Sequence, residues 1–143
     1  MSTMLYAEDD RDCRELFAFA LRQKGHSVHE ALNGAQAVQI VREEPIDLVI
    51  LDARMPMVTG YEAARIIGRE NPDIPIIFLS ARGLRREIDL AYESSPLVVD
   101  YLIKPISPAE LIARVESVMR DCQIRGIESV RAENMIRELV VEW

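Results

Sequence analysis

The sequence predicts a doubly wound α/β fold, and three features carry that prediction. Short apolar runs alternate along the chain with segments of helical spacing. The runs are nearly continuous in Val, Ile and Leu, as in Ile46-Asp47-Leu48-Val49-Ile50-Leu51, the composition of parallel strands buried on both faces. Acidic residues close two of them: Glu8-Asp9-Asp10 after the first and Asp52 after the third. Open α/β sheets place their ligands at the carboxyl ends of their strands, so a half-buried acid there calls for a chemical reason.

Thr3 to Glu8 reads as the first strand. Arg11 to Lys24 carries Leu16, Phe17, Ala20 and Leu21 at helical spacing, and Gly25 stops it. Ser27 to Ala31 is the second strand. Ala35 to Glu43 reads as a helix ended by Pro45. The strand ending at Asp52 comes third. Tyr61 to Glu70 is a helix closed by Asn71-Pro72, and Pro75 to Ser80 is the fourth strand. Leu84, Ile88 and Ala91 mark one face of a fourth helix, and Leu97 to Ile103 is the fifth strand. Ser107-Pro108-Ala109-Glu110 is a capping box with proline at the first helical position. It opens a fifth helix lined by Leu111, Ile112, Val115, Val118 and Met119. Five βα units with right-handed crossovers form a parallel sheet with helices on both faces. The expected strand order is the flavodoxin-like 2-1-3-4-5, which puts the ligand site between the ends of strands 1 and 3.

At 143 residues, 49% of them hydrophobic, the chain has the length of one domain with a full core. The expected division is a domain over 1–121 and a helical extension or linker over 122–143. No apolar run approaches the ~20 residues of a membrane span. Met1 to Tyr6 lacks the basic and apolar regions of a signal peptide, so the expected compartment is the cytoplasm. A net charge of −7 without a basic segment argues against direct nucleic-acid binding by this chain. Cys13 and Cys122 read as small buried thiols. His26 and His29, three apart on the expected second strand, would face opposite ways and share no metal.

The topology brings Glu8, Asp9 and Asp52 to one pocket, where like charges repel by several kcal/mol at low effective dielectric. A divalent cation relieves that repulsion. Mg²⁺ suits it, because it takes oxygen ligands and binds one or two carboxylates together with a phosphate. Asp9 or Asp10 could instead cap the first helix. Strand 5 ends in Lys104-Pro105 and strand 4 in Ser80, on the same rim. A carboxylate nucleophile, a metal, a hydroxyl and an ammonium make a phosphoryl-transfer constellation.

Glu8-Asp9, Asp52 followed by Met55-Pro56 and Gly60, Leu79-Ser80-Ala81, and Tyr101-Leu102-x-Lys104-Pro105 occur in that order, each at the end of the right strand. In these motifs, over roughly residues 3 to 120, the chain resembles the CheY-like receiver domains of the response-regulator family. The resemblance implies that Asp52 accepts a phosphoryl group from a phosphohistidine on a sensor histidine kinase or phosphotransfer protein. Asp9 and Asp52 would hold Mg²⁺, with Glu8 acting through water and the Arg54 backbone carbonyl completing the protein ligands. Lys104 would contact the phosphoryl group and Ser80 would hydrogen-bond it, with Tyr101 swinging inward to follow. The Lys104–Pro105 bond would be cis. A shift between two conformers would be felt on helix 4, strand 5 and helix 5 by a downstream protein target or output domain. Such a domain phosphorylates and dephosphorylates itself and is not a turnover enzyme.

Some features depart from the family pattern. The span from Ser80 to Lys104 is longer than usual, and Glu93 to Asp100 reads as an extended loop between helix 4 and strand 5. Arg54 and Arg82 each stand two residues past a site residue, either as solvated charge or as groups that control the hydrolytic water. Beyond Gly126, residues Ala132, Met135/Ile136, Leu139 and Trp143 form an apolar face. It would belong to a sixth helix packed on its own domain, a dimerisation helix, or the start of a linker.

Three other readings compete. A pseudo-receiver that only binds partners would have no need of the acidic cluster, whereas the receiver part of a hybrid kinase or larger multidomain regulator would keep it. A nucleotide- or flavin-binding domain would need a Gly-rich phosphate loop where Glu8-Asp9-Asp10-Arg11 stands. A Mg²⁺-dependent phosphohydrolase would need a further general acid and a substrate cap.

Overall fold

Five parallel strands form one sheet in the order β2-β1-β3-β4-β5. They are β1 (Thr3–Ala7), β2 (Ser27–Ala31), β3 (Leu48–Leu51), β4 (Ile76–Ser80) and β5 (Val98–Ile103). The helices are α1 (Arg11–Gln23), α2 (Gly34–Glu43), α3 (Gly60–Glu70), α4 (Arg85–Ser94), α5 (Pro108–Arg125) and α6 (Ile127–Val141). The computed structural model describes residues 1–141, with side chains up to Glu138. The expected flavodoxin-like order is the observed one, with an additional C-terminal helix.

Strand side chains alternate between two cores. Leu5, Ala7, Val49, Leu51, Ile76 and Phe78 face α2, α3 and α4. Met4, Tyr6, Leu48, Ile50, Ile77 and Leu79 face α1 and α5. Both faces are therefore buried, which is why these runs lack polar alternation. Side-chain caps start most of the helices: Asp10 accepts from the Cys13 amide at 3.0 Å, and Asn33 from the Gln36 amide at 2.9 Å. Thr59 and Glu62 form a reciprocal capping box at α3. A cap of this kind contributes about 1 kcal/mol. At α5 half of the expected box forms: Ser107 accepts from the Glu110 amide at 3.1 Å, while the Glu110 carboxylate meets the Ser107 hydroxyl.

Several expectations need correction. Residues 93–100 are not an extended loop. α4 runs to Ser94 and β5 begins at Val98, leaving a three-residue connection in which the buried Ser95 hydroxyl accepts from the Leu97 amide. Extra length is taken up inside β5: Val98 pairs with Ile76 but Asp100 with Ile77, so the strand carries a bulge. Leu84 lies outside α4 and is 60% exposed; the inward face is Glu87, Ile88, Ala91 and Tyr92. His26 precedes β2, because the ladder starts where the Ser27 amide meets the Ser2 carbonyl, and it bonds Glu116 on α5 at 3.0 Å. Cys13 and Cys122 are half-buried rather than core.

The largest correction concerns α6. It packs on its own domain, but not through the expected stripe: Ala132 and Met135 are exposed, and Ile136 is 60% exposed. Leu139 and Trp143 lie outside the described side chains. The inward residues are Ile127, Val130, Arg131 and Asn134. β5 is an edge strand, and its outer carbonyls need donors. Arg131 donates to the carbonyls of Tyr92, Ser95 and Val98 at 2.7 to 2.9 Å, and Asn134 to that of Val99 at 2.7 Å. Gly126, at φ +88°, makes the turn between α5 and α6.

Candidate functional site

The sheet ladder sets the acidic pocket. The Glu8 amide donates to the Ala31 carbonyl and the Asp52 amide to the Ala7 carbonyl, each at 3.0 Å. These bonds carry Glu8 and Asp52 one step past the strands, onto the same rim. Carboxylate oxygens of Glu8, Asp9 and Asp52 lie within 4.8 Å of one another. Glu8 is 1% exposed and Asp52 is 8% exposed, while Asp9 is open to solvent. Two carboxylates about 4 Å apart repel by about 4 kcal/mol at an effective dielectric near 20. A cluster of this density, with both hard oxygen donors and an open side, fits a divalent cation. Asp10 is not part of it; its side chain caps α1.

Lys104 enters from the end of β5. Its amide donates to the Ser80 carbonyl at 2.8 Å, which ties the ends of β4 and β5 together. Its ammonium bonds a Glu8 oxygen and stands 3.7 Å from Asp52 Oδ2. Burial works against the Lys104 charge, but Glu8 and Asp52 outweigh it and hold its pKa above the ordinary value. Burial pushes the Glu8 carboxyl up, with Asp52 adding to the rise and Lys104 opposing it. The Lys104–Pro105 bond is cis.

Ser80 is 1% exposed, and its hydroxyl accepts from the Arg82 amide at 3.2 Å. Tyr101 stands inward at 3% exposure, with its hydroxyl donating to the Arg82 carbonyl. Its ring stacks on Phe78, centroids 5.9 Å apart. Gly60 is required beside Asp52: a Cβ there would lie 2.1 Å from the Asp52 carbonyl oxygen. The loop between them contains Met57 at φ 70°, a left-handed conformation that a non-glycine residue adopts at a cost of about 1 kcal/mol.

The residues expected at the site, Glu8, Asp9, Asp52, Ser80, Tyr101 and Lys104, thus gather at the carboxyl ends of β1, β3, β4 and β5. Arg54 lies beside them; its side chain is 54% exposed and is turned to Glu87 rather than to Asp52. It pairs with Glu87 at 2.8 Å. Glu87, 2% exposed on the inner face of α4, also accepts from the Tyr61 hydroxyl. The Tyr61 bond and then the Arg54 charge hold the Glu87 carboxyl below its ordinary range. Sequence reading missed Glu87; the available signal was an acid directly before Ile88 on the helix face expected to be apolar. A cavity of about 720 Å³ lies at the other end of the sheet, among Ile46, Pro75, Met119 and Cys122, and holds none of these residues.

The parallel five-stranded sheet carries clustered acids at its switch point, where a dinucleotide-binding domain carries a Gly-rich turn. The family model of the response regulator receiver domain matches residues 4–116, and the chain belongs to that family. It is 37% identical over 132 residues to a probable transcriptional regulator, ycf27, of Cyanidium caldarium, covering 92% of this chain and 52% of that protein. It is 38% identical over 121 residues to the phosphate regulon transcriptional regulatory protein PhoB of Pseudomonas aeruginosa, covering 82% and 52%. The chain therefore spans about half the length of these curated relatives. Among solved structures, a CheY-like receiver domain protein of Methanospirillum hungatei aligns with a TM-score of 0.82 over 88% of this chain and 99% of that one. At 17% identity this shows the fold alone. The response regulator TrrA of Thermotoga maritima, solved in complex with magnesium and beryllofluoride, is 31% identical with a TM-score of 0.73, covering 82% and 98%. Among the described residues no helix is long and apolar enough to cross a membrane.

Proposed function

We propose that this receiver domain is a Mg²⁺-dependent phosphoacceptor whose acceptor is Asp52. The observation that carries the reading is the convergence of Glu8, Asp9 and Asp52 within 4.8 Å, answered by the Lys104 ammonium. The donor is a phosphohistidine on a sensor histidine kinase or phosphotransfer protein. An Asp52 oxygen attacks phosphorus, the P–N bond breaks, and the imidazole leaves with the electron pair. In the separate hydrolysis that resets the domain a water oxygen attacks phosphorus, the P–O bond to Asp52 breaks, the carboxylate is regenerated, inorganic phosphate departs, and a proton passes to solvent.

Asp9 and Asp52, Glu8 through water, and the Arg54 carbonyl are the residues that would hold Mg²⁺. Bound there, it supplies charge neutralisation for the phosphoryl oxygens. Lys104 supplies a second positive charge, and Ser80 a hydroxyl donor. Tyr101 of β5, bonded to the Arg82 carbonyl two residues past Ser80, carries the change into that strand. The domain acts on itself rather than on a pool of substrate. The relatives named as transcriptional regulators support an output domain or protein target as the receiver of the signal, and TrrA's bound magnesium and beryllofluoride support the chemistry. The cytoplasm is the compartment where such a kinase partner acts, and a homodimer is compatible with this reading.

Incubation with Mg²⁺ and acetyl phosphate should give a single acid-stable, base-labile phosphoryl adduct that is absent from Asp52→Asn. No adduct on the wild type would favour a partner-binding pseudo-receiver. An adduct that survives Asp52→Asn would move the acceptor elsewhere.

A further inference from the structure

One buried side chain of α4 joins the loop after Asp52 to the first turn of α3. Glu87 of α4 accepts from Arg54 Nη2 at 2.8 Å through one oxygen and from the Tyr61 hydroxyl through the other. The Tyr61 ring stacks on Phe78 with centroids 5.6 Å apart, and Phe78 stacks on Tyr101. The Tyr101 hydroxyl donates to the Arg82 carbonyl, and the Arg82 amide donates to Ser80. Contact is thus continuous from Arg54, two residues past Asp52, to Ser80. The phosphoryl chemistry described above makes no use of Glu87.

A carboxylate buried on the inner face of a helix is costly unless its partners are fixed. Here one partner is a guanidinium from the phosphoacceptor's own loop. Within ion-pair distance Arg54 meets Glu87, whereas Asp52 meets Lys104. A phosphoryl group on Asp52 would offer Arg54 a second and more highly charged anion, with oxygens suited to a bidentate guanidinium.

We propose that Glu87 is a positioning residue for the Asp52 site: it holds the Arg54 guanidinium on α4, clear of the phosphoryl group, and so keeps the path of the hydrolytic water open. The proposal rests on the phosphoacceptor reading. In hydrolysis the water oxygen approaches phosphorus in line with the departing Asp52 oxygen. A guanidinium released from Glu87 and drawn onto the phosphoryl oxygens lies across that approach. Glu87→Gln keeps an acceptor for Tyr61 but loses the charge that retains Arg54. The acyl phosphate then lasts longer.

The test uses the full chain, phosphorylated with acetyl phosphate and Mg²⁺, freed of donor, and followed by intact mass. Glu87→Gln should lengthen the adduct half-life about threefold or more. The same change made in an Arg54→Ala background should have no effect, which a merely structural role of Glu87 does not predict. If Glu87→Gln fails to fold, Glu87→Asp, one methylene too short for Arg54, gives the same readout. An unchanged or shortened half-life, or a lengthening that persists without Arg54, overturns the proposal. A wild type that takes no phosphoryl group defeats the phosphoacceptor reading and this proposal with it, and that result is distinct from the other three.

Discussion

The ammonium of Lys104 rests on Glu8, and Asp52 is the farther of its two carboxylates, at 3.7 Å. Glu8 is the more deeply buried acid, so it has the greater need of a counter-charge. Removing the cation leaves that carboxylate uncompensated. Lys104→Met should lower stability to urea by about 3 kcal/mol when Mg²⁺ is absent. Adding Glu8→Gln should recover most of the loss, because a buried amide needs hydrogen bonds but no opposite charge. If Glu8→Gln has the same effect with and without Lys104, the two side chains are not coupled and the prediction fails.

Crowding of Glu8, Asp9 and Asp52 makes the metal-free fold strained by charge. Any cation that binds the native cluster stabilises it by mass action, by about 2.7 kcal/mol at a concentration of 100 times Kd. Millimolar Mg²⁺ should raise Tm by several degrees, where matched Na⁺ does not. Asp52→Asn should raise Tm without Mg²⁺ and shrink the Mg²⁺ response. Calorimetry with and without chelator measures both, and flat melting in every case would mean that the carboxylates do not share a field.

Much of this arrangement was legible in the sequence because it is local or periodic. Val49, Ile50 and Leu51 announce a strand buried on both faces, and the position of Asp52 at its end follows from the topology. The same holds for Glu8, Ser80 and Lys104. What escaped was decided by tertiary demand. Glu87 looks like a solvated helix acid until Arg54 and Tyr61 are brought to it from 33 and 26 residues away. The Pro96 connection looks long until a bulge in β5 takes up a residue. On α6, hydrophobicity pointed to Ile136, but the edge of β5 presents carbonyls, and Arg131 and Asn134 answer them.

That inversion on α6 can be tested directly. Arg131 lies over the Tyr92 ring at 5.4 Å and meets three carbonyls, and among the described residues no carboxylate pairs with it. Burial holds its pKa below the ordinary value for arginine. Arg131→Ala leaves those carbonyls without their donors, at about 1 to 3 kcal/mol for each group left unsatisfied. Amide hydrogen exchange over α6 should then accelerate at least about tenfold, equivalent to about 1.4 kcal/mol of local opening. Ile136→Ser should change stability by no more than about 0.5 kcal/mol. The reverse ranking would restore the apolar stripe as the docking face.

Glycines 60 and 126 separate two ways in which a methyl group can be costly. At Gly126 a Cβ meets nothing within 4 Å, but φ is +88°. Gly126→Ala should therefore cost about 1 kcal/mol through backbone conformation alone, and leave phosphorylation of Asp52 unchanged. At Gly60 the Cβ would lie 2.1 Å from the Asp52 carbonyl oxygen and 3.0 Å from Ala53 Cα. Both are backbone atoms, and the Gly60 amide also bonds the Ala53 carbonyl at 3.0 Å, so α3 and the acceptor must move apart together. Gly60→Ala should cost about 2 kcal/mol or more. It should also slow adduct formation with acetyl phosphate, because the displaced segment carries Asp52 and the Arg54 carbonyl. Urea titration alongside the phosphorylation rate distinguishes the two: a Gly60→Ala protein that is destabilised but phosphorylated at the wild-type rate would show that α3 abuts Asp52 without positioning it.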